Sequence, residues 1–286
     1  MVFGTAPRRF KGYILDLDGV VYRGSAPLPG AREFIASLRA AGRKLIFLSN
    51  ASFGSRAAIA AKLRSMGIKC ANSEVINSGY VAAQYIKKKF GRCTVFVAGE
   101  QGLVDELKAA GVRVSGLGAD AAGMQVQKKG AAGLAARKRR LRARAVVAGF
   151  DRHITYEKIA DALDLLLAGV PFIASNSDPT YPVENRLLPG AGMVVGALEG
   201  CSGRKPLVLG KPNPLMLRAC LAAMHLKASE VAVVGDRLET DILMANKAGV
   251  FSILVLTGVS GKAELKKAKG LLKPNLIVKD LRGLEV

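Results

Sequence analysis

Short β-rich runs alternate with amphipathic helical stretches at both ends of this chain, and few folds accommodate that pattern. YILDL (13–17) reads as a strand, PGAREFIASLRAAG (29–42) as a helix with Pro29 near its start and Gly42 past its end, and KLIFLS (44–49) as the next strand. The same alternation returns in VAVVGD (231–236), a helical LETDILMANKAG (238–249) and the strand FSILVL (251–256). Strands joined by helices lie parallel. The expected fold class is therefore α/β, a Rossmann-like parallel sheet core flanked by helices.

The middle of the chain carries strands and helices of its own: INSGYVAAQYIKKKFG, CTVFVAG, LVDELKAAG, AVVAGF, YEKIADALDLLLAG and PFIAS. It is long enough to bury a separate small core. The pattern predicts an inserted α/β domain over 76–188, interrupting a discontinuous core domain of 1–75 and 189–286.

The 286 residues are half apolar, which suits a globular chain. The apolar run Leu165 to Ala174, which contains Gly169 and Pro171, falls short of the roughly 20 residues a bilayer needs. No secretory apolar stretch opens the sequence, so a soluble, cytoplasmic protein is expected. Four scattered cysteines without C-x-x-C and only two histidines, His153 and His225, argue against a zinc site or a disulfide framework.

The net charge is +21. It is spread, with 12 basic against 4 acidic groups in 1–76, 17 against 10 in 77–188 and 14 against 8 in the remainder. Such a distribution attracts anions at long range rather than forming one nucleic-acid groove. The exception is QKKGAAGLAARKRRLRARA (127–145), with eight basic residues, no acidic one and no aromatic to stack a base; it is read as a solvated segment.

In a parallel sheet the carboxyl ends of the strands converge on one crevice. Here they deliver Asp16 and Asp18, then Ser49 and Asn50, then Lys211 from LVLGKP, and Asp236 with Asp241 just beyond. Four carboxylates around one ammonium must protonate or recruit cations, since like charges about 4 Å apart repel by roughly 4 kcal/mol at an effective dielectric near 20. An all-oxygen set, Asp16, Asp18, Asp236 and Asp241, suits the hard ion Mg²⁺. A carboxylate beside Mg²⁺ is a nucleophile toward phosphorus. Asp16 would attack, and Asp18 would protonate the leaving oxygen and later deprotonate water.

In this order Asp-x-Asp-Gly-Val, Ser-Asn, Gly-Lys-Pro-x-Pro and Gly-Asp-Arg-x-x-Thr-Asp resemble the motifs of the haloacid dehalogenase-like phosphatases. The chain is most similar to the branch with an inserted cap of the C2 type, which includes phosphoglycolate, 4-nitrophenyl phosphate, pyridoxal phosphate and nucleotide phosphatases. AGFDRHITYEKIADAL, FIASNSD and LLPGAG resemble its cap. The likeness implies Asp16 as nucleophile, Asp18 as acid and base, Ser49 and Asn50 as phosphate donors, Lys211 as charge neutraliser and Asp236 as a Mg²⁺ ligand, with Asp241 supporting the metal or Lys211. Spacing agrees with the cap position: Pro27 follows Asp18 by only nine positions, whereas Lys211 follows Ser49 by 162.

Where many of that branch have Thr-Asn-Asn-Ser this chain has SNAS (49–52), so Ala51 removes one polar group near the phosphate. Asn176 and Asp178, in SNSDPTYP, are candidate substrate contacts, and turn formation explains them equally well. PGAGMVVG (189–196) reads as a helix start. The expected partner is a small phosphorylated metabolite; a homodimer is compatible with the sequence, and neither membrane nor nucleic acid is expected. The competing reading is a catalytically silent binding protein of the same fold, nucleic-acid-associated through the basic run. Asp18 speaks against it, because a pure binder needs no acid or base beside the nucleophile.

Overall fold

The computed structural model describes residues 10–115, 142–183 and 186–285. Of the basic run, residues 127–141 lie outside the described residues. In chain order, β1 (Gly12–Asp16) leads to a hairpin of β2 (Tyr22–Arg23) and β3 (Ala26–Pro27), then α1 (Ala31–Ala40), β4 (Lys44–Ser49), α2 (Arg56–Ser65) and β5 (Val75–Asn77). Next come α3 (Ser78–Phe90), β6 (Thr94–Ala98), α4 (Gln101–Ala109), β7 (Arg113–Ser115), β8 (Val146–Ala148), α5 (Tyr156–Leu167) and β9 (Phe172–Ala174). A second hairpin, β10 (Thr180–Val183) and β11 (Arg186–Pro189), precedes α6 (Gly192–Ser202) and β12 (Leu207–Val208). The chain closes with α7 (Pro214–Met224), β13 (Val231–Gly235), α8 (Leu243–Lys247), β14 (Phe251–Val255), α9 (Lys262–Lys267) and β15 (Leu276–Val278).

Two compact units result, the first formed by residues up to 49, 56–76 and 211 onward, the second by 50–55 and 77–210. The first unit holds a six-stranded sheet in the order β15-β14-β13-β1-β4-β5. From β15 through β4 each pairing is parallel, with Leu15 opposite Val234 and Asp16 opposite Leu48. β1 is buried throughout, as an unbroken apolar run in a sheet covered on both faces should be. The α1 helix turns Ala31, Phe34, Ile35 and Leu38 inward, the spacing of one helical face. There Phe34 meets Tyr13 edge to face at 5.7 Å. Gly42, beyond the helix end, takes the left-handed conformation (φ 65°) that a side chain would strain.

The second unit holds a parallel five-stranded sheet in the order β12-β9-β8-β6-β7. Its core gathers Phe96, Val146, Leu165, Phe172 and Leu198. This unit runs past the Leu188 boundary expected from the sequence, to Gly210. The reason is pairing: β12 completes the sheet beside β9, and Val194, Val195 and Leu198 of α6 fill its core. PGAGMVVG does start a helix, α6. No helix among the described residues is long and apolar enough to cross a membrane.

Within the second unit the segment 50–55 is held against α4. The Gly102 amide donates to the Phe53 carbonyl at 3.2 Å, and a Cβ on Gly102 would fall 2.4 Å from that same oxygen. Backbone cannot yield as a side chain can, so Gly102→Ala should cost about 1–3 kcal/mol of stability. Urea denaturation measures it; an unchanged midpoint would show that the segment shifts freely.

Candidate active site

The parallel register sets the carboxyl ends of β1, β4 and β13 along one edge of the first sheet. Asp16 ends β1, Ser49 ends β4, and Asp236 follows β13. All three are buried. Immediately after Asp236 the chain makes a wide π-helical turn, Leu238–Ile242, which carries the buried Asp241 back over the strand end. The approach is so close that a Cβ on Gly235 would lie 2.1 Å from the Asp241 Cβ.

Lys211 enters this space with only 5 % of its surface exposed. Its Nζ donates to Asp16 Oδ1 and, at 2.7 Å, to Asp241 Oδ1. Burial alone would lower the ammonium's pKa, but the two carboxylates outweigh it and hold the group above the usual lysine range. Asp16 is pushed well up, by burial first and then by Asp241 and Asp236, with Lys211 pulling the other way. Asp236 is pushed up to about 6 by burial and by Asp241, against the Val259 amide and the charges of Lys211 and Arg237. Asp241 Oδ2 accepts from the Arg237 amide at 3.3 Å and the Thr240 hydroxyl at 3.2 Å.

Asp16, Asp236 and Asp241 each offer a carboxylate oxygen within 4.8 Å of the others. Three oxygens with neither imidazole nor thiolate fit a small hard divalent cation such as Mg²⁺. The cradle is tight: a Cβ on Gly258 would lie 1.8 Å from Asp236 Oδ2 and one on Gly19 2.5 Å from it. The Val259 amide fixes that oxygen at 2.8 Å. Asp18, expected as a fourth ligand, lies outside this group. The chain tightens after β1, with the amides of Val20, Val21 and Tyr22 all turned to the Leu17 carbonyl, and the Asp18 carboxyl is set toward the Tyr22 hydroxyl instead. Although Asp18 keeps contact with solvent, crowding pushes its carboxyl up, opposed by Lys62, Lys211 and the Tyr22 hydroxyl. Burial and the nearby Asp18 and Asp16 charges push the Tyr22 phenol up, so it remains a donor.

Asn50 belongs to the second unit, where its amide donates to Asp178 Oδ2 at 2.9 Å. Asn176 donates to the same oxygen at 3.0 Å. Both amides thus meet on Asp178, and the Ser175 hydroxyl joins the group 3.1 Å from Asn176 Oδ1 and 3.0 Å from the Ser52 hydroxyl. His153 and His225 are exposed and stand apart from the carboxylates. Tyr22, Lys62, Gly258 and Val259 were not anticipated. Tyr22 lies in the DGVVYRG stretch, where its place beside the paired aspartates is the one available signal; a lysine inside a helix gives none.

A parallel α/β sheet whose edge gathers carboxylates against a buried lysine is the architecture of a phosphoryl-transferring hydrolase. The chain belongs to the haloacid dehalogenase-like hydrolases: a model of that family matches residues 13–113, and a second model of HAD-hydrolase-like proteins matches 208–284. It is 35 % identical over 287 residues to a 4-nitrophenylphosphatase of Schizosaccharomyces pombe, covering 96 % of this chain and 93 % of that one. It is 35 % identical over 275 residues to the sugar-phosphatase AraL of Bacillus subtilis, covering 96 % and 91 %. Among solved structures, a Mycobacterium tuberculosis glycerol phosphate phosphatase in complex with magnesium superposes with a TM-score of 0.83 at 32 % identity, covering 96 % of this chain and 76 % of that one.

Asp236 carries a folding cost whose sign is fixed. Its carboxyl holds a proton more tightly folded (about 6) than unfolded (about 3.9), so its charge destabilises the metal-free protein as pH rises between those values and fully above them. Asp236→Asn should therefore be more stable than the parent in EDTA at pH 7, by on the order of 1–3 kcal/mol. The gain should vanish below about pH 4. Denaturation curves across that range decide it, and a variant less stable than the parent at pH 7 would contradict the repulsion.

Proposed function

We propose that this chain is a Mg²⁺-dependent phosphatase that hydrolyses small phosphate monoesters through a phosphoaspartate on Asp16. The observation that carries the reading is the buried group of Asp16, Lys211, Asp236 and Asp241, with a carboxylate in a different environment two residues beyond the nucleophile. Asp16, Asp236 and Asp241 would hold Mg²⁺, which supplies positive charge to the phosphoryl oxygens.

In the first step an Asp16 oxygen bonds to phosphorus while the bond from phosphorus to the ester oxygen breaks. Asp18 gives its proton to that departing oxygen, releasing an alcohol. In the second step Asp18 takes a proton from water, whose oxygen attacks phosphorus and releases inorganic phosphate and the Asp16 carboxylate. Lys211 pulls Asp16 toward its ionised form and offsets its charge as the phosphate approaches. The Ser49 hydroxyl and the Asn50 amide are assigned to the phosphoryl oxygens, with Asp178 holding that amide in place.

The second unit, inserted by chain segments that leave after Ser49 and Ile76 and return at Arg56 and Lys211, is assigned the reading of the leaving group as a cap domain. The relatives are named for 4-nitrophenyl phosphate, sugar phosphate and glycerol phosphate. Those classes, together with a net charge of +21 that attracts anions, define the esters to screen.

Phosphate release from such a panel should require Mg²⁺ and stop on exhaustive chelation. Ca²⁺, which prefers more ligands at longer distances, should inhibit. Asp16→Asn should lose at least about 10³-fold in kcat/KM, and Asp18→Asn should accumulate a slowly hydrolysed phosphoenzyme detectable by intact mass. Turnover by Asp16→Asn within about tenfold of the parent, with back-deamidation excluded, would refute the mechanism.

A further inference from the structure

The loop after β1 folds back on itself tightly. Three successive amides, of Val20, Val21 and Tyr22, turn to the Leu17 carbonyl at 3.3, 2.9 and 3.1 Å, and the Gly19 amide donates to the Tyr22 carbonyl at 2.9 Å. Asp18 and Tyr22 are thereby bridged backbone to backbone. The Tyr22 ring is 4 % exposed, and its hydroxyl lies toward the Asp18 carboxyl, whose ionised form it favours. Lys62, from α2, sets its Nζ 3.9 Å from the centroid of that ring. A cation over an aromatic face at this distance is held by the ring quadrupole. The loop is pinned from its other side: the Thr257 hydroxyl donates to the Gly19 carbonyl at 2.6 Å, and the Arg23 guanidinium donates to the Thr257 carbonyl.

We propose that Tyr22 and Lys62 are positioning residues for the proton-transferring carboxylate: the phenol hydroxyl holds one oxygen of Asp18, the Lys62 ammonium holds the ring, and the other oxygen is left for the leaving group. This rests on the reading of Asp18 as acid and base. A short carboxylate on a loop has several staggered rotamers open to it, and proton delivery requires one of them. A ring locked by the loop on one edge and a cation on its face removes that freedom in advance. A phenylalanine would fill the same space and leave the carboxyl without its donor.

The test separates proton delivery from general damage. Up to leaving-group departure, kcat/KM reports the phosphorylation step. An alkyl phosphate needs a proton delivered to its leaving oxygen, whereas the nitrophenolate of 4-nitrophenyl phosphate departs readily without one. The reading is the ratio of kcat/KM for glycerol phosphate to that for 4-nitrophenyl phosphate. Tyr22→Phe should lower this ratio by about tenfold, and Lys62→Met by about threefold, with Lys62→Arg restoring it. Because both act through Asp18, adding Tyr22→Phe to Asp18→Asn should lower the ratio no further than Asp18→Asn alone.

Equal loss on both esters in Tyr22→Phe, or a further fall in the double variant, would overturn the proposal by making Tyr22 structural or independent of Asp18. If Asp18→Asn itself leaves the ratio unchanged, the acid and base reading of Asp18 falls and the proposal with it. If Asp18→Asn lowers the ratio and Tyr22→Phe does not, that reading stands and the positioning role alone is wrong.

Discussion

Three carboxylates share one buried space with a single ammonium, and the first unit is built around holding them there. With oxygens within 4.8 Å of one another, each pair of like charges repels by roughly 3–4 kcal/mol at an effective dielectric near 20. Lys211 answers two of the three directly, through Asp16 and Asp241, and leaves Asp236 to backbone amides and more distant charge. The result is a site that stores repulsion: two carboxylates sit above their ordinary pKa range, and a bound divalent cation would relieve both. Affinity for such an ion and instability without it would be two descriptions of one arrangement.

What makes such a cluster tolerable is the sheet beneath it. Five parallel strands bury a continuous apolar core and fix the positions from which Asp16 and Asp236 extend. The repulsion cannot be relaxed by moving a strand end without breaking ladder hydrogen bonds and core packing. The neighbouring backbone comes in close: a Cβ on Gly19 or Gly258 would overlap Asp236, and one on Gly235 would overlap Asp241. Glycine is required at these points because the carboxylates need the space.

The strands and helices of the first unit were legible in the sequence because their signals are local. YILDL, PGAREFIASLRAAG and FSILVL each carry the burial period of the element they form. The convergence of Asp16, Asp236 and Asp241 was legible too, since parallel strands determine where their ends meet; Lys211 was expected from a strand of that same sheet, but β12 before it pairs in the sheet of the second unit, and the lysine is delivered by the chain on its return to the first. The far boundary of the inserted unit was not, because β12 belongs to its sheet through pairing with β9, a contact that two residues, Leu207 and Val208, do not advertise. LETDILMANKAG reads as one helix, but bringing Asp241 over Gly235 forces its first turn wide. The exclusion of Asp18 from the carboxylate group was hidden as well, because it depends on the loop closing through the Leu17 carbonyl.

That exclusion explains how two aspartates separated by one residue come to differ. In a continuing strand, residues i and i+2 point to the same face, and Asp18 would then join Asp16 against Lys211 as a further like charge. The chain instead ends its strand at Asp16, buries Leu17, and folds so tightly that Asp18 faces Tyr22. Asp16 keeps an ammonium and two carboxylates for neighbours. Asp18 keeps a phenol, a ring-bound lysine and solvent. One environment suits a carboxylate that forms a bond to phosphorus, the other a carboxylate that moves a proton, and the single turn through Gly19 (φ 86°) separates them.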